Sequence, residues 1–336
     1  MAVLGQQGGD TGLPNMIFLE TETWTAPANF EGIIYVIGGG GSGGAVEDYG
    51  DWSVSGGGAG GCAVSRYSFI KDTAYVFTIG NGGSVTDSWS GGAYAVLGSN
   101  GGNTTAATGG STFMTGNGGQ GGQRGDSTSC AGGTGGSSSG GNLMNNTGGA
   151  GGAVDATRKV SGGGAVGLFK TGNAAQAGIY SGLWYGGYSH GGTLNGYDWA
   201  DGIGEFVTQY VTGWGESTPV SMSPFPDLVS FTTGQDGNRG YKDSTSHENV
   251  FQALACDMRG DNTGAWDYQH SASIKFTVKG PPFCGTNGIC SGYATHYGGA
   301  ACLGGGSGAV MQNTNGDTHA GRGGDGCVMI FPTKIS

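Results

Sequence analysis

Charge is scarce in this sequence, and positive charge most of all. The 336 residues hold 13 Lys and Arg against 24 Asp and Glu, a formal charge of −11. The basic residues stand singly, so no patch exists to release phosphate counterions, and nucleic acid is excluded as a partner. No apolar run approaches the roughly 18 residues of a membrane helix, so no membrane insertion is expected. The N-terminus lacks the basic start, apolar stretch and cleavage site of a signal peptide, and synthesis in a cytoplasm without export is expected. Proline is present only 8 times and the strict collagen triplet is absent. Cysteine appears seven times, never as a CxxC pair, which suits free thiols made in a reducing compartment.

Glycine fills the space that these absences leave. It accounts for 79 residues, and with the 8 prolines for 87 of 336, about 26%. That fraction borders on low-complexity disorder. Disordered chains, however, are rich in charge and poor in aromatics, and here aromatics are 10% and charged residues 11%. An ordered chain is expected, and ordering glycine is costly because it loses the most backbone freedom on folding. A dense hydrogen-bond lattice or a crowded packing axis must offset that loss.

Residues 1–15 read as a docking arm, followed by a short apolar strand at Met16–Leu19. Pro27 implies a turn or an edge. The β-branched run Gly32–Ile37 reads as a buried strand that empties into the glycine tract 38–44. A second island, 56–61, leads into Cys62–Phe69, which alternates with the period of a half-buried strand. Lys71-Asp72-Thr73 then turns the chain into Ala74–Ile79, and the pair reads as a hairpin. Glycine islands separated by polar spacers dominate as far as residue 202, with 51 glycines in residues 37–202. Residues 203–297 hold only 12 glycines and strand-like runs at 205–211, 228–231 and 273–278, with 248–256 as the one candidate for a short helix. Glycine returns at 298–308 and 321–326, before a closing apolar strand at Cys327–Phe331 that is expected to pair beside the strand entering the first tract. The organisation expected is therefore an N-terminal arm and short strand (1–23), a glycine-rich domain (24–202 plus 298–336) and a glycine-poor, aromatic-rich insertion (203–297).

Runs of three or more glycines exclude a helix and weaken a strand. The ordered form left is the extended threefold chain of the polyproline-II type, which has no internal hydrogen bonds. Buried backbone groups must be paired, and without Cβ atoms several such segments can approach and bond one another side by side. The bland alternative is a set of flexible linkers. The fold expected is mainly β, with short strands and hairpins flanking a glycine-rich polyglycine-II-type bundle and very little helix.

Few residues carry recognisable chemistry. Gly39-x-Gly41-x-x-Gly44 after a strand satisfies the dinucleotide-binding spacing, but in so glycine-dense a tract the match is nearly automatic and no helix pattern follows. Five scattered histidines show no zinc spacing. Cys284 and Cys290 are either free thiols or, less in keeping with the rest, a disulfide or half a metal site. Asp198 and Asp201 offer a carboxylate pair of the kind that glycan hydrolysis uses, as would many pairs among 24 acids. No catalytic residue, cofactor or metal is therefore assigned, and the chain is expected not to be an enzyme. The aromatics Trp184, Tyr185, Tyr188, Tyr197, Trp199, Trp214, Trp266 and Tyr268 stand in Gly- and Asp-rich, loop-like text. Flat rings beside carboxylates suit sugar or protein-loop recognition, because they give contact area at small entropy cost. The competing reading is that they form the core a glycine bundle cannot provide.

The order of the pieces carries a resemblance. Trp24–Ala28, Ile33–Gly44, Gly56–Phe69, Ala74–Gly83, Gly109–Phe113, Gly132–Gly152 and Gly321–Phe331 follow one another as in the glycine-rich domain of many bacteriophage tail proteins. The resemblance covers about two-thirds of the chain and leaves out 203–297. It implies a virion component of the tail, a tail fibre or tail-tip adhesin, made in the host cytoplasm. It also implies a stiff polyglycine-II platform whose loops touch a host-surface glycan or outer-membrane protein without catalysis. Other tail proteins and further copies of the chain, as in a trimer, are the partners it implies. A purely structural connector or decoration protein is the rival reading, and a surface-glycan depolymerase a third.

Overall fold

A computed structural model of the chain describes residues 2–7, 12–47, 52–84, 86–88, 95–125, 129–154, 159–175, 179–180, 187–189, 219–221, 230–232, 279–283, 285, 288–291, 296–297, 300–312 and 318–335. The fold is mainly β, with no helix among the described residues. The strand candidates at 205–211 and 273–278 and the helix candidate at 248–256 lie outside them.

Eleven strands build a two-sheet sandwich at one end of the molecule. They are β1 (Ala2–Gln7), β2 (Pro14–Phe18), β3 (Glu22–Thr25), β4 (Phe30–Ile37), β5 (Cys62–Phe69) and β6 (Ala74–Thr78). The others are β7 (Thr104–Thr108), β8 (Ser111–Gly116), β9 (Ser138–Ser139), β10 (Met144–Asn146) and β11 (Cys327–Ile335). One sheet has the order β1-β2-β11-β4-β5-β10 and the other β9-β8-β7-β6-β3. The closing strand does pair with the strand that enters the first glycine tract, with Cys327 opposite Ile37 and Val328 opposite Val36. The expected N-terminal arm contains β1, which pairs with β2 and so forms the edge of this same sheet.

Strand periodicity explains the core. Along β4 the side facing the second sheet carries Phe30, Ile34 and Val36, all fully buried. They meet Phe18, Phe69, Tyr75, Phe77, Met114 and Ile330 in one cluster. Trp24 lies at its rim, stacked on Phe77 with centroids 6.2 Å apart. Burying each such large apolar side chain is worth about 1.5–3 kcal/mol. The opposite face of β4 is covered in part by Val166, which comes close to Ile37 where Gly304 leaves room for both.

The expected hairpin between β5 and β6 is not formed. The turn is there, with Thr73 N–H donating to the Ile70 carbonyl at 3.2 Å and Asp72 at φ 58°. But β5 pairs with β4 and β10, whereas β6 pairs with β3 and β7 in the other sheet. A flat hairpin closed at 70–73 would set Phe69 opposite Ala74 and turn Tyr75 to the far face. Crossing between the sheets buries both rings, 5.2 Å apart. Tyr75 Oη accepts the N–H of Ile70 at 3.0 Å and secures the corner.

The glycine tracts run on from these strands. Successive N–H groups of 38–42 donate to Gly61, Gly102, Gly324, Gly58 and Ser99. The direction returns to the same neighbour every third residue. The carbonyls of Gly39, Gly40 and Gly41 accept from Gly119, Gly83 and Ser307, three further segments. Residues 57–61 repeat this, donating in turn to Ser307, Gln120, Gly149, Gly304 and Asn117. Along the first of these segments the bonding partners thus recur every third residue. Each of these two central segments is bonded to six others, which answers the pairing demand of buried backbone. Glycine is required by proximity: a Cβ on Gly58 would lie 2.2 Å from the Thr134 carbonyl oxygen.

Candidate functional site

The chain shuttles between two ends. At one end the tracts join the sandwich, as at Ile37–Gly38, Gly61–Cys62 and Gly326–Cys327. At the other they meet short strands. Residues 95–96, 45–47, 310–312, 288–291 and 187–189 form a five-stranded sheet in that order, and 124–125, 53–54, 159–160 and 179–180 a four-stranded one. Val46, Val54, Ala95 and Ala309 make a small core there, with Trp52 against it. The guanidinium of Arg124 sits 5.8 Å from the Trp52 ring centre, within cation–π range.

Strands 187–189 and 288–291, on either side of residues 203–278, belong to this far end. Of the eight candidate contact residues, only Tyr188 falls on described backbone. It lies on the edge strand 187–189, opposite Ile289. Trp184, Tyr185, Tyr197, Trp199, Trp214, Trp266 and Tyr268 lie outside the described residues, as do Asp198, Asp201 and Cys284. Strands 219–221 and 230–232 pair with each other.

The dinucleotide-like spacing offers no phosphate cradle. The N–H groups of Gly39, Gly41 and Gly44 are already donated to Gly102, Gly58 and Ser55. The described thiols Cys62, Cys130 and Cys327 are buried. Burial pushes the Cys62 thiol far up, helped by Cys327 across the strand between them, and so holds it protonated. Cys130 is raised by burial. Tyr35 is raised by burial and by Cys62. A nucleophile needs the opposite shift. Among the described residues no three His, Cys, Asp or Glu come together as metal ligands.

One broad surface is open. The sheet β9-β8-β7-β6 and the tracts continuing it form one layer, whose outer face is laid out in rows. Thr78, Thr105, Thr115 and Ser139 are register partners across the four strands. Beyond them, on hydrogen-bonded neighbouring tracts, come Asn81, Asn103, Asn117 and Ser137, and then Asn100, Gln120 and Thr134, with Ser84 Oγ donating to Ser99 Oγ at 3.0 Å beside them. Asn117 Nδ2 donates to Ser137 Oγ at 2.9 Å, and Thr134 Oγ1 to Gln120 Oε1 at 3.1 Å. The carboxamides also serve the lattice. Asn100 Oδ1 accepts the N–H of Gly121 at 2.8 Å and Asn103 Oδ1 that of Gly118 at 2.9 Å. Sequence reasoning missed this face, although its signal was present. In GGxGGx text every third residue of a threefold chain shares one side, and here that residue is repeatedly Asn, Gln, Ser or Thr. Comparison with family models and with curated proteins gives no match to the chain.

Proposed function

We propose that this chain is a structural component of a bacteriophage tail, a tail fibre or tail-tip adhesin, that attaches to the host surface by non-catalytic contact. The observation that carries this reading is the lattice itself. Two glycine segments, each hydrogen-bonded to six neighbours, make a stiff body from backbone alone, held by a sandwich at one end and meeting at the other the short strands 187–189 and 288–291. The repeat of three in bond direction favours a polyglycine-II bundle as the form of that body. A rigid spacer with side-chain-rich text at one end suits adhesion, because rigidity lowers the entropy lost on binding. The order of motifs from Trp24 to Phe331 supports a virion setting.

Replacing 203–278 by a short Gly-Ser linker tests it, since among the described residues strands 219–221 and 230–232 pair only with each other. The expected result is a protein that melts as before and is still incorporated into particles, which no longer adsorb. Adsorption at the parental rate would overturn the adhesin reading, and loss of assembly would favour the connector role. Reducing sugar released from host surface material by the intact protein would favour the depolymerase.

A further inference from the structure

We infer that the rowed face is a binding wall for neutral polysaccharide, in which outward carboxamides and hydroxyls meet the hydroxyls of a sugar chain laid across the glycine segments. Three observations converge on it. The first is charge. None of the positions in the three rows is ionisable, in a chain with 13 basic and 24 acidic residues. Without cations the wall gives nucleic acid and anionic lipid no hold, and without carboxylates it gives a basic partner none.

The second is polarity. A protein partner is held by a buried apolar or aromatic centre, and the rows contain neither. What they offer is a dense field of groups that both donate and accept, which a polyhydroxylated chain matches.

The third is preorganisation. The lattice N–H groups of Gly121 and Gly118 require an acceptor, so Asn100 and Asn103 must turn their oxygens inward. Their Nδ2 amines are thereby left without an acceptor among the described residues, on exposed residues of one segment. Gln120 on the next segment likewise commits Oε1 to Thr134. The fold thus fixes donors facing solvent before any ligand arrives, which lowers the ordering cost of binding. The rows repeat at about 9 Å along a threefold segment, and neighbouring strands of the layer stand about 4.8 Å apart, so one chain can touch several rows. Single contacts to neutral hydroxyls are weak, and affinity comes from their number.

This wall shares no residue with the aromatic-rich stretch. It rests on the attachment reading only for the source of the glycan. Electrophoresis of the purified full chain through native gels containing dextran, mannan or galactan tests it directly, with acidic alginate as the contrast. At least one neutral polymer should retard the protein and its monosaccharide should not compete. The double substitution Asn100→Asp with Asn103→Asp keeps an oxygen for each lattice N–H and removes the outward amine. It should raise the polymer concentration for half-retardation at least tenfold while leaving the melting temperature in place. If that variant fails to fold, Thr105→Val with Thr115→Val, near-isosteric and at home in strands, should weaken retardation in the same direction. No retardation by any neutral polymer, stronger retardation by alginate, or retardation unchanged in the folded variants would overturn the inference. Such an outcome leaves the adsorption experiment on 203–278 untouched.

Discussion

Asp325 Oδ1 accepts the backbone N–H of Gly82 at 2.7 Å, across 243 residues of sequence. The contact ties the closing glycine tract to the one that follows β6, at a point where no backbone carbonyl takes the donor. Arg322 pairs with the same carboxylate at the surface, a contact worth about 0–1 kcal/mol. Asp325→Ala should cost about 1–3 kcal/mol, because it strands the N–H of the buried Gly82. Asp325→Asn keeps an acceptor and should cost less. Thermal melts of the two variants read the difference, and equal losses would mean the charge rather than the acceptor matters.

Substituting glycine should hurt most where φ is ordinary. Gly110, at φ +79° in the turn between β7 and β8, meets nothing within 4 Å of an added Cβ. Gly110→Ala therefore incurs only the left-handed backbone penalty, about 1–2 kcal/mol. Gly58→Ala places its methyl 2.2 Å from a carbonyl oxygen in the lattice interior. Overpacking a close-packed interior costs about 1–3 kcal/mol or more, and backbone cannot rotate away as a side chain can. Denaturant midpoints should fall further for Gly58→Ala than for Gly110→Ala; the reverse order would contradict a lattice held by backbone contact.

Stability should fall in alkali. Cys62 is raised by burial and then by Cys327, so the folded state keeps the proton that the unfolded state releases. The contribution is fully present below the unfolded thiol value of about 8.5 and is lost as pH rises above it. Tyr35 and Cys130 are raised in the same sense. Urea midpoints should hold from neutrality to about pH 8.5 and decline above, with a shallower decline in Cys62→Ala.

The corner between the sheets depends on one hydroxyl. Tyr75→Phe leaves the ring packing and removes the acceptor for Ile70 N–H. A loss of about 0.5–1.5 kcal/mol is expected. An unchanged melting temperature would mean water takes over the bond at that exposed residue.

Local features were legible in the chain. Gly32–Ile37 and Cys327–Phe331 announce themselves as strands by their β-branched, apolar content, and their pairing was expected because the first runs into a glycine tract and the second runs out of one. The turn at Lys71–Thr73 was legible from its polar residues. What Cys62–Phe69 and Ala74–Thr78 pair with was not, because a turn of this length serves a hairpin and a sheet-to-sheet corner alike. Only the joint burial of Phe69 and Tyr75 chooses between them. The aromatic run 184–268 drew attention through composition, whereas the amide and hydroxyl face was hidden because its residues are scattered from Thr78 to Ser139. They become neighbours only when separate strands and tracts lie side by side.

The sequence by itself determined a mainly β chain in which long glycine tracts had to find backbone partners, since tracts without side chains can neither form a helix nor bury a core. Which tract bonds which was decided by tertiary structure alone. Glycine carries no side chain to specify a neighbour, so order in the lattice is imposed from its ends, where β4, β5 and β11 fix the register by the packing of Ile34, Phe69 and Ile330.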